Sequence, residues 1–237
     1  MKYLYLLVNF FTLIIPFIYS FHPKINFHHT WSGFFPAAIL VGLVFIGWDM
    51  WFTSLAVWGF NPSYLSGIYV GNLPLEEVLF FVCIPYACVF TYFCLSKFFD
   101  LAWNRKAEAI FCAAFSAVLI AVGCLNLEKI YTSLTFISTG VVSLTLRFLL
   151  KVDWWGKATT VYGILLVPFL IVNGVLTGTG IESPIVWYDH TENLNLRILT
   201  IPIEDAFYGY ELILLNIYFY KVFLGHKNSP SRRLAKV

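Results

Sequence analysis

Seven apolar stretches, each close to the length that a bilayer core demands, limit what this chain can become. They run over roughly residues 3–20, 35–56, 76–96, 108–125, 130–150, 160–177 and 203–223. A helix needs about 20 apolar residues to cross a ~30 Å hydrocarbon layer. Of the 237 residues, 59% are hydrophobic and only 12% charged, with a mean hydropathy of +0.77, a balance that soluble domains of this length do not carry. The expected class is therefore an all-α integral membrane protein with seven spans. The first stretch follows Met1-Lys2 and ends in Ile18-Tyr19-Ser20-Phe21, too bulky for a leader cleavage site, and is read as a true span. The fourth and fifth are parted only by a tight turn at 126–129.

The basic residues orient this bundle. Lys24, then Lys97, Arg105 and Lys106, then Arg147, Lys151 and Lys157, and finally Lys221, Lys227, Arg232, Arg233 and Lys236 fall on one side; only Lys2, Lys129 and Arg197 fall on the other. The positive-inside rule puts the N-terminus outside and the C-terminus in the cytoplasm. The basic tail is then a topology signal, and neither it nor the net charge of +2 points to nucleic acid.

A motif and its copy subdivide the chain. Leu73-Pro74-Leu75-Glu76-Glu77-Val78-Leu79-Phe80-Phe81 recurs 128 residues later as Ile201-Pro202-Ile203-Glu204-Asp205-Ala206-Phe207-Tyr208-Gly209. In both, proline at the first helical position would leave two acids just inside a helix start, where free N–H groups favour negative charge. One such pair would be unremarkable; two, each opening a membrane-length run, point to function. A second correspondence, at an offset of 124, matches Asp49 and Thr53 to Asn173 and Thr177, each pair spaced to share a helix face. The chain therefore reads as two parallel three-helix repeats joined by a linker helix. The units are a first repeat at 1–100, a linker span at 101–128, a second repeat at 129–225 and a basic tail at 226–237. Both acidic motifs, Asp49 and Asn173 then lie near the outer face, where buried polar groups would turn inward towards partners.

Long loops precede each motif. Their Asn-Pro and Gly turns, with Trp58 and Trp187 at similar distances before the acids, suggest ordered caps or re-entrant segments. Arg197 stands seven residues before Glu204 and could pair with Glu204, Asp205 or Asp189. The five cysteines (Cys83, Cys88, Cys94, Cys112 and Cys124) fall inside spans without a C-x-x-C pair and read as small buried side chains. Adjacent acids resist double ionisation, so one member of a pair can hold a proton while its neighbour is charged. Aromatic walls (Phe80, Tyr208, Trp58) stabilise cations by about 0.5 to 2 kcal/mol each when desolvated. Acids beside aromatics in lipid suit carbocation chemistry on an apolar substrate.

These residues resemble the membrane-embedded lycopene cyclases: the small subunits of Gram-positive heterodimeric enzymes, their fused versions, and the cyclase half of fungal bifunctional phytoene synthases. The resemblance rests on the two Pro-x-Glu-Glu/Asp units, Trp48-Asp49 with Thr53, Gly67-Ile68-Tyr69 ahead of Pro74, and the run from Arg197 to Gly209. It covers nearly the whole chain. It implies conversion of linear lycopene through γ-carotene to β-carotene without net redox change, in a bacterial cell membrane, on a carotenoid arriving from membrane lipid. Glu76, Glu77, Glu204 and Asp205 would share the acid/base work, unranked, with Asp49 as partner and Phe80, Tyr208, Asn173, Thr53, Thr177, Trp58 and Arg197 around the substrate.

No flavin is expected, since Gly178-Thr179-Gly180 is no dinucleotide fingerprint, and no metal, since His22, His28, His29, His190 and His226 form no clustered boxes. A retinal protein would need a lysine midway along the last span, where Lys221 is too late. A proton-coupled transporter would need polar residues at mid-membrane in several spans, whereas these acids gather at one end. A cyclase acting on another carotenoid, with different ring type or chain length, stays open.

Overall fold

The computed structural model describes residues 2–227. Of the expected tail, 228–237 lie outside the described residues. Among the described residues seven α-helices form, each on one of the apolar stretches: α1 (Leu4–Tyr19), α2 (Trp31–Ser54), α3 (Leu75–Phe98), α4 (Arg105–Cys124), α5 (Ile130–Leu144), α6 (Trp155–Leu176) and α7 (Ile203–Lys227). A π turn, Thr145–Leu149, extends α5. Five segments are long and apolar enough to cross a membrane: Phe27–Ser54, which ends in α2, then α3, α4, Ile130–Leu149 and α6. Helix α1 is apolar but has 16 residues, about 24 Å at 1.5 Å per residue. Helix α7 has the length, 25 residues, and carries Glu204, Asp205, Glu211 and Lys221 along it.

Short strands cap the acid-bearing end. Strands β2 (Tyr69–Val70) and β3 (Leu73–Pro74) form a hairpin before α3, and β5 (Arg197–Ile198) and β6 (Ile201–Pro202) form its counterpart before α7. The two have the same backbone. Leu75 N–H bonds Ile68 O at 2.9 Å, as Ile203 N–H bonds Leu196 O at 3.0 Å. Left-handed φ angles recur at Gly67 and Asn195 (90° and 59°) and at Gly71 and Leu199 (64° and 59°). Pro74 and Pro202 pair in these hairpins, opposite Tyr69 and Arg197. Pro74, at ψ 148°, is the residue before the helix and not its first turn; the hairpin holds it extended, and the acids move one place nearer the helix start.

The two caps are also stitched together. Strands β1 (Trp58–Phe60) and β4 (Val186–Tyr188) pair antiparallel as Trp58 with Tyr188, Gly59 with Trp187 and Phe60 with Val186. Gly59 and Trp187 are equivalent by the 128-residue offset, so the ladder crosses itself at the local two-fold. A Cβ on Gly59 would lie 2.3 Å from the Trp187 ring, so only glycine lets the indole cross there.

Packing follows the same near-symmetry, with α1 on α3 matched by α5 on α7. Helix α4 lies along α5, tied by the Arg147–Glu108 ion pair at 3.1 Å, the one salt bridge among the described residues. Cys83, Cys88 and Cys112 are buried, Cys94 is half-buried, and Cys124, the last residue of α4, is exposed.

Candidate active site

The first turns of α3 and α7 meet beneath the caps, and adjacent acids point different ways because successive helical residues turn by ~100°. Glu76 and Glu204 are fully buried. Each turns back to hold its own loop: Ser66 N–H donates to Glu76 Oε1 at 2.6 Å and Leu194 N–H to Glu204 Oε1 at 2.7 Å. Thr132 Oγ1 also donates to Glu204 Oε1, at 2.6 Å. Glu77 and Asp205 turn the other way, into a common cavity of about 140 Å³, which Asp49 of α2 and Asn173 of α6 also line. One acid from each motif thus meets its counterpart, while the other anchors a cap.

Phenols ring this cavity. Tyr5 of α1 donates to Glu77 Oε2 at 2.6 Å, and its counterpart Tyr131 of α5 donates to Asp205 Oδ1 at 2.5 Å. Asp205 Oδ2 receives two more, from Tyr188 Oη and Asn173 Nδ2, each at 2.8 Å. Asp49 Oδ2 is buried without a partner among the described residues. The Tyr188 phenol, in the cap, is pushed above its ordinary range by burial and then by the Asp205 carboxylate, which keeps it a donor. Asp205 thus has three donors and Glu77 one. Three donors on one carboxylate suit a lasting negative charge. Glu77 and Asp49, two acids on one cavity of which only Glu77 accepts from a phenol among the described residues, suit a shared proton.

Aromatic faces complete the wall. Trp58 meets Tyr131 edge-on at 5.0 Å, Tyr131 stacks on Tyr188 at 6.0 Å, and Trp58 lies 6.1 Å from Tyr208. Phe80, the repeat counterpart of Tyr208, also lines the cavity. Towards the middle of the bundle the lining carries no charge and is mostly apolar, with Ile84, Ala87, Leu165 and Phe169 beside Tyr162.

Of the expected substrate contacts, Phe80, Tyr208, Asn173 and Trp58 line the cavity; Thr53, Thr177 and Arg197 do not. Thr177 Oγ1 bonds Asn173 O at 2.9 Å and shares a 2.7 Å bond with Thr200, closing the end of α6. The Thr53 hydroxyl has no partner among the described residues. Arg197 makes no ion pair with Glu204, Asp205 or Asp189, against expectation. Its Nη1 donates to Thr200 O at 2.5 Å across its own hairpin, its Nη2 lies 3.3 Å from His190 Nδ1, and its guanidinium sits over the Tyr188 ring at 5.8 Å. The hairpin turn folds the side chain back before it can reach the acids.

Tyr5, Tyr131 and Tyr188 escape a reading of the sequence, because tyrosine in an apolar run or a loop is unremarkable. A signal existed: Tyr5 and Tyr131 are 126 residues apart, nearly the offset of the acids they serve. Glu211, also unforeseen, is buried away from the cavity and accepts from Ser138 at 2.6 Å and Thr139 at 3.1 Å on α5.

A family model, lycopene cyclase, matches the chain over residues 2–95 and again over 128–223. The chain belongs to the lycopene cyclase family. The stretch left between the two matches contains α4. Family and apolar helices together make it a membrane protein of carotenoid metabolism whose substrate is lipid-soluble. Among curated proteins and among solved structures nothing matches the chain. In this lycopene cyclase family member each matched region supplies a phenol, a cavity-facing acid and a cap-anchoring acid: Tyr5, Glu77 and Glu76 from the first, Tyr131, Asp205 and Glu204 from the second.

Proposed function

We propose that this chain is a lycopene β-cyclase that works by acid/base catalysis, an isomerase that takes lycopene through γ-carotene to β-carotene. Helices α1 and α7 complete seven spans with the five long apolar segments, the N-terminus outside and the C-terminus cytoplasmic in a bacterial cell membrane. The reading rests above all on the meeting of Glu77 and Asp205, one from each repeat, on a single aromatic-walled cavity.

The carboxyl of Glu77, sharing its proton with Asp49, protonates the terminal double bond of a linear end group. The neighbouring double bond attacks the tertiary cation and closes a six-membered ring, which moves the positive charge onto a ring carbon. Asp205, charged and held by Tyr131, Tyr188 and Asn173, removes the adjacent ring proton and leaves the ring double bond. One proton enters and one leaves, so nothing is oxidised. The proton then passes from Asp205 back to the Glu77 and Asp49 pair before the next turnover. Between these steps the cation lies against Trp58, Tyr208 and Phe80, whose ring faces stabilise it in a dry site.

Expression in bacteria that accumulate lycopene tests this reading. Pigment chromatography should show β-carotene replacing lycopene; lycopene left untouched by the protein inserted in the membrane would overturn it.

A further inference from the structure

The two repeats are alike, yet the space beside their acids is filled on one side and empty on the other. Beside α2, the Phe45 ring is 1% exposed and packs 6.2 Å from Phe81, 5.8 Å from Trp48 and 5.0 Å from Tyr208. The same offsets carry Trp48 to Val172, Phe81 to Gly209 and Phe45 to Phe169. Two of the three plugging rings thus have small residues in their place, and all three equivalent positions line the cavity. Backbone approach differs in the same sense. Gly33 of α2 sits so close to α7 that a Cβ would lie 3.0 Å from Tyr220 O, whereas its counterpart on α6 is Lys157. Helix α2 accordingly lies closely along α7, while α6 only loosely touches α3 and α7 and barely touches α1.

We infer that the cavity has a door at its loosest seam, between α6 and the α1–α3 pair, and that the door is occupied by the conjugated tail of the carotenoid whose end group is being cyclised. This rests on the cyclase reading above. The cavity continues from the acids into that apolar seam past Ile84, Ala87 and Phe169, and away from the acids the seam offers a polyene hydrocarbon and no charge. Its size decides the rest. A cavity of about 150 Å³ elsewhere holds one benzene ring, so 140 Å³ leaves room for no more than a single end group and not for a whole carotenoid. A linear substrate with two ends must leave and return reversed. The monocyclic carotene is therefore released into the bilayer between the two ring closures, each of which is a separate isomerisation that consumes nothing else.

Isotope dilution in membranes containing the wild-type protein tests this. With labelled lycopene and a tenfold excess of unlabelled monocyclic carotene, label in the dicyclic product should fall about tenfold; label unaffected by the pool overturns the inference. Val172→Trp, which copies Trp48 onto the open side, should cut lycopene cyclisation more than tenfold. Ile171→Trp, at a neighbouring position 67% exposed on the outside of α6, should not. A fully active Val172→Trp enzyme would also overturn the inference, and if that variant fails to insert, the isotope dilution decides alone. Absence of any cyclic product from the wild type would instead overturn the cyclase reading itself.

Discussion

Removing a single hydroxyl from Tyr131 should cripple the site while leaving its shape intact. Among the described residues its phenol is the only donor on Asp205 Oδ1, at 2.5 Å, whereas Oδ2 has two, Tyr188 and Asn173. A hydrogen bond to a charged group contributes about 1.5–3 kcal/mol, and each ~1.4 kcal/mol is a factor of ten in rate. Tyr131→Phe, which leaves Oδ1 bare, should therefore slow cyclisation by about ten- to a hundredfold. Tyr188→Phe, which leaves Asn173 on Oδ2, should cost less. The assay is the initial rate of lycopene loss in isolated membranes, normalised to the amount of inserted protein. Tyr210→Phe is the control, because that hydroxyl bonds Thr159 at 2.6 Å away from the cavity. A Tyr131→Phe enzyme within twofold of wild type, or a Tyr188→Phe loss larger than that of Tyr131→Phe, would refute the assignment of Asp205 as the donor-held base.

Other positions separate anchoring from chemistry. Glu76→Gln keeps an oxygen for Ser66 N–H and should retain most activity, while Glu76→Ala strands that amide and should lower the melting temperature in detergent by an amount equivalent to about 1–3 kcal/mol; inactivity of a well-inserted Glu76→Gln would return Glu76 to the acid/base set. Gly59→Ala should destabilise by about 1–3 kcal/mol through overpacking against Trp187, seen as a lower melting temperature; an unchanged one would mean the β1–β4 crossing is loose. Tyr5→Phe takes away the one donor on Glu77 and should slow protonation of lycopene; accumulation of γ-carotene alone would place its effect on the second closure only.

Helices were the legible part of the sequence, because a bilayer core imposes its length on any apolar run, and all seven stretches are helical. The offset of the two acidic motifs also announced the equivalence that the hairpins and the Tyr5 and Tyr131 bonds display. Rotation about the helix axis was not legible. Glu76 and Glu77 are neighbours in sequence and differ by ~100° in direction, so only packing against α1 and the cap decides that Glu77 meets the cavity and Glu76 meets Ser66. Arg197 shows the reverse error: near Glu204 in number, it is turned aside by a hairpin whose bend lies at Leu199. Thr53 and Thr177 share a helix face with Asp49 and Asn173, yet that face has depth, and the threonines sit one turn further from the cavity. The open and filled sides were written in the chain as Val172 against Trp48 and Gly209 against Phe81, a contrast that acquires meaning only when α6 and α2 are seen to occupy equivalent places.

Pigment analysis of two single variants, Glu77→Gln and Asp205→Asn, in lycopene-accumulating cells tests most directly whether both repeats build one site. If they do, either substitution alone leaves lycopene as the carotenoid present, with neither γ-carotene nor β-carotene. Monocyclic product from either variant, one ring closed by the intact repeat, would mean two independent sites and would contradict the account.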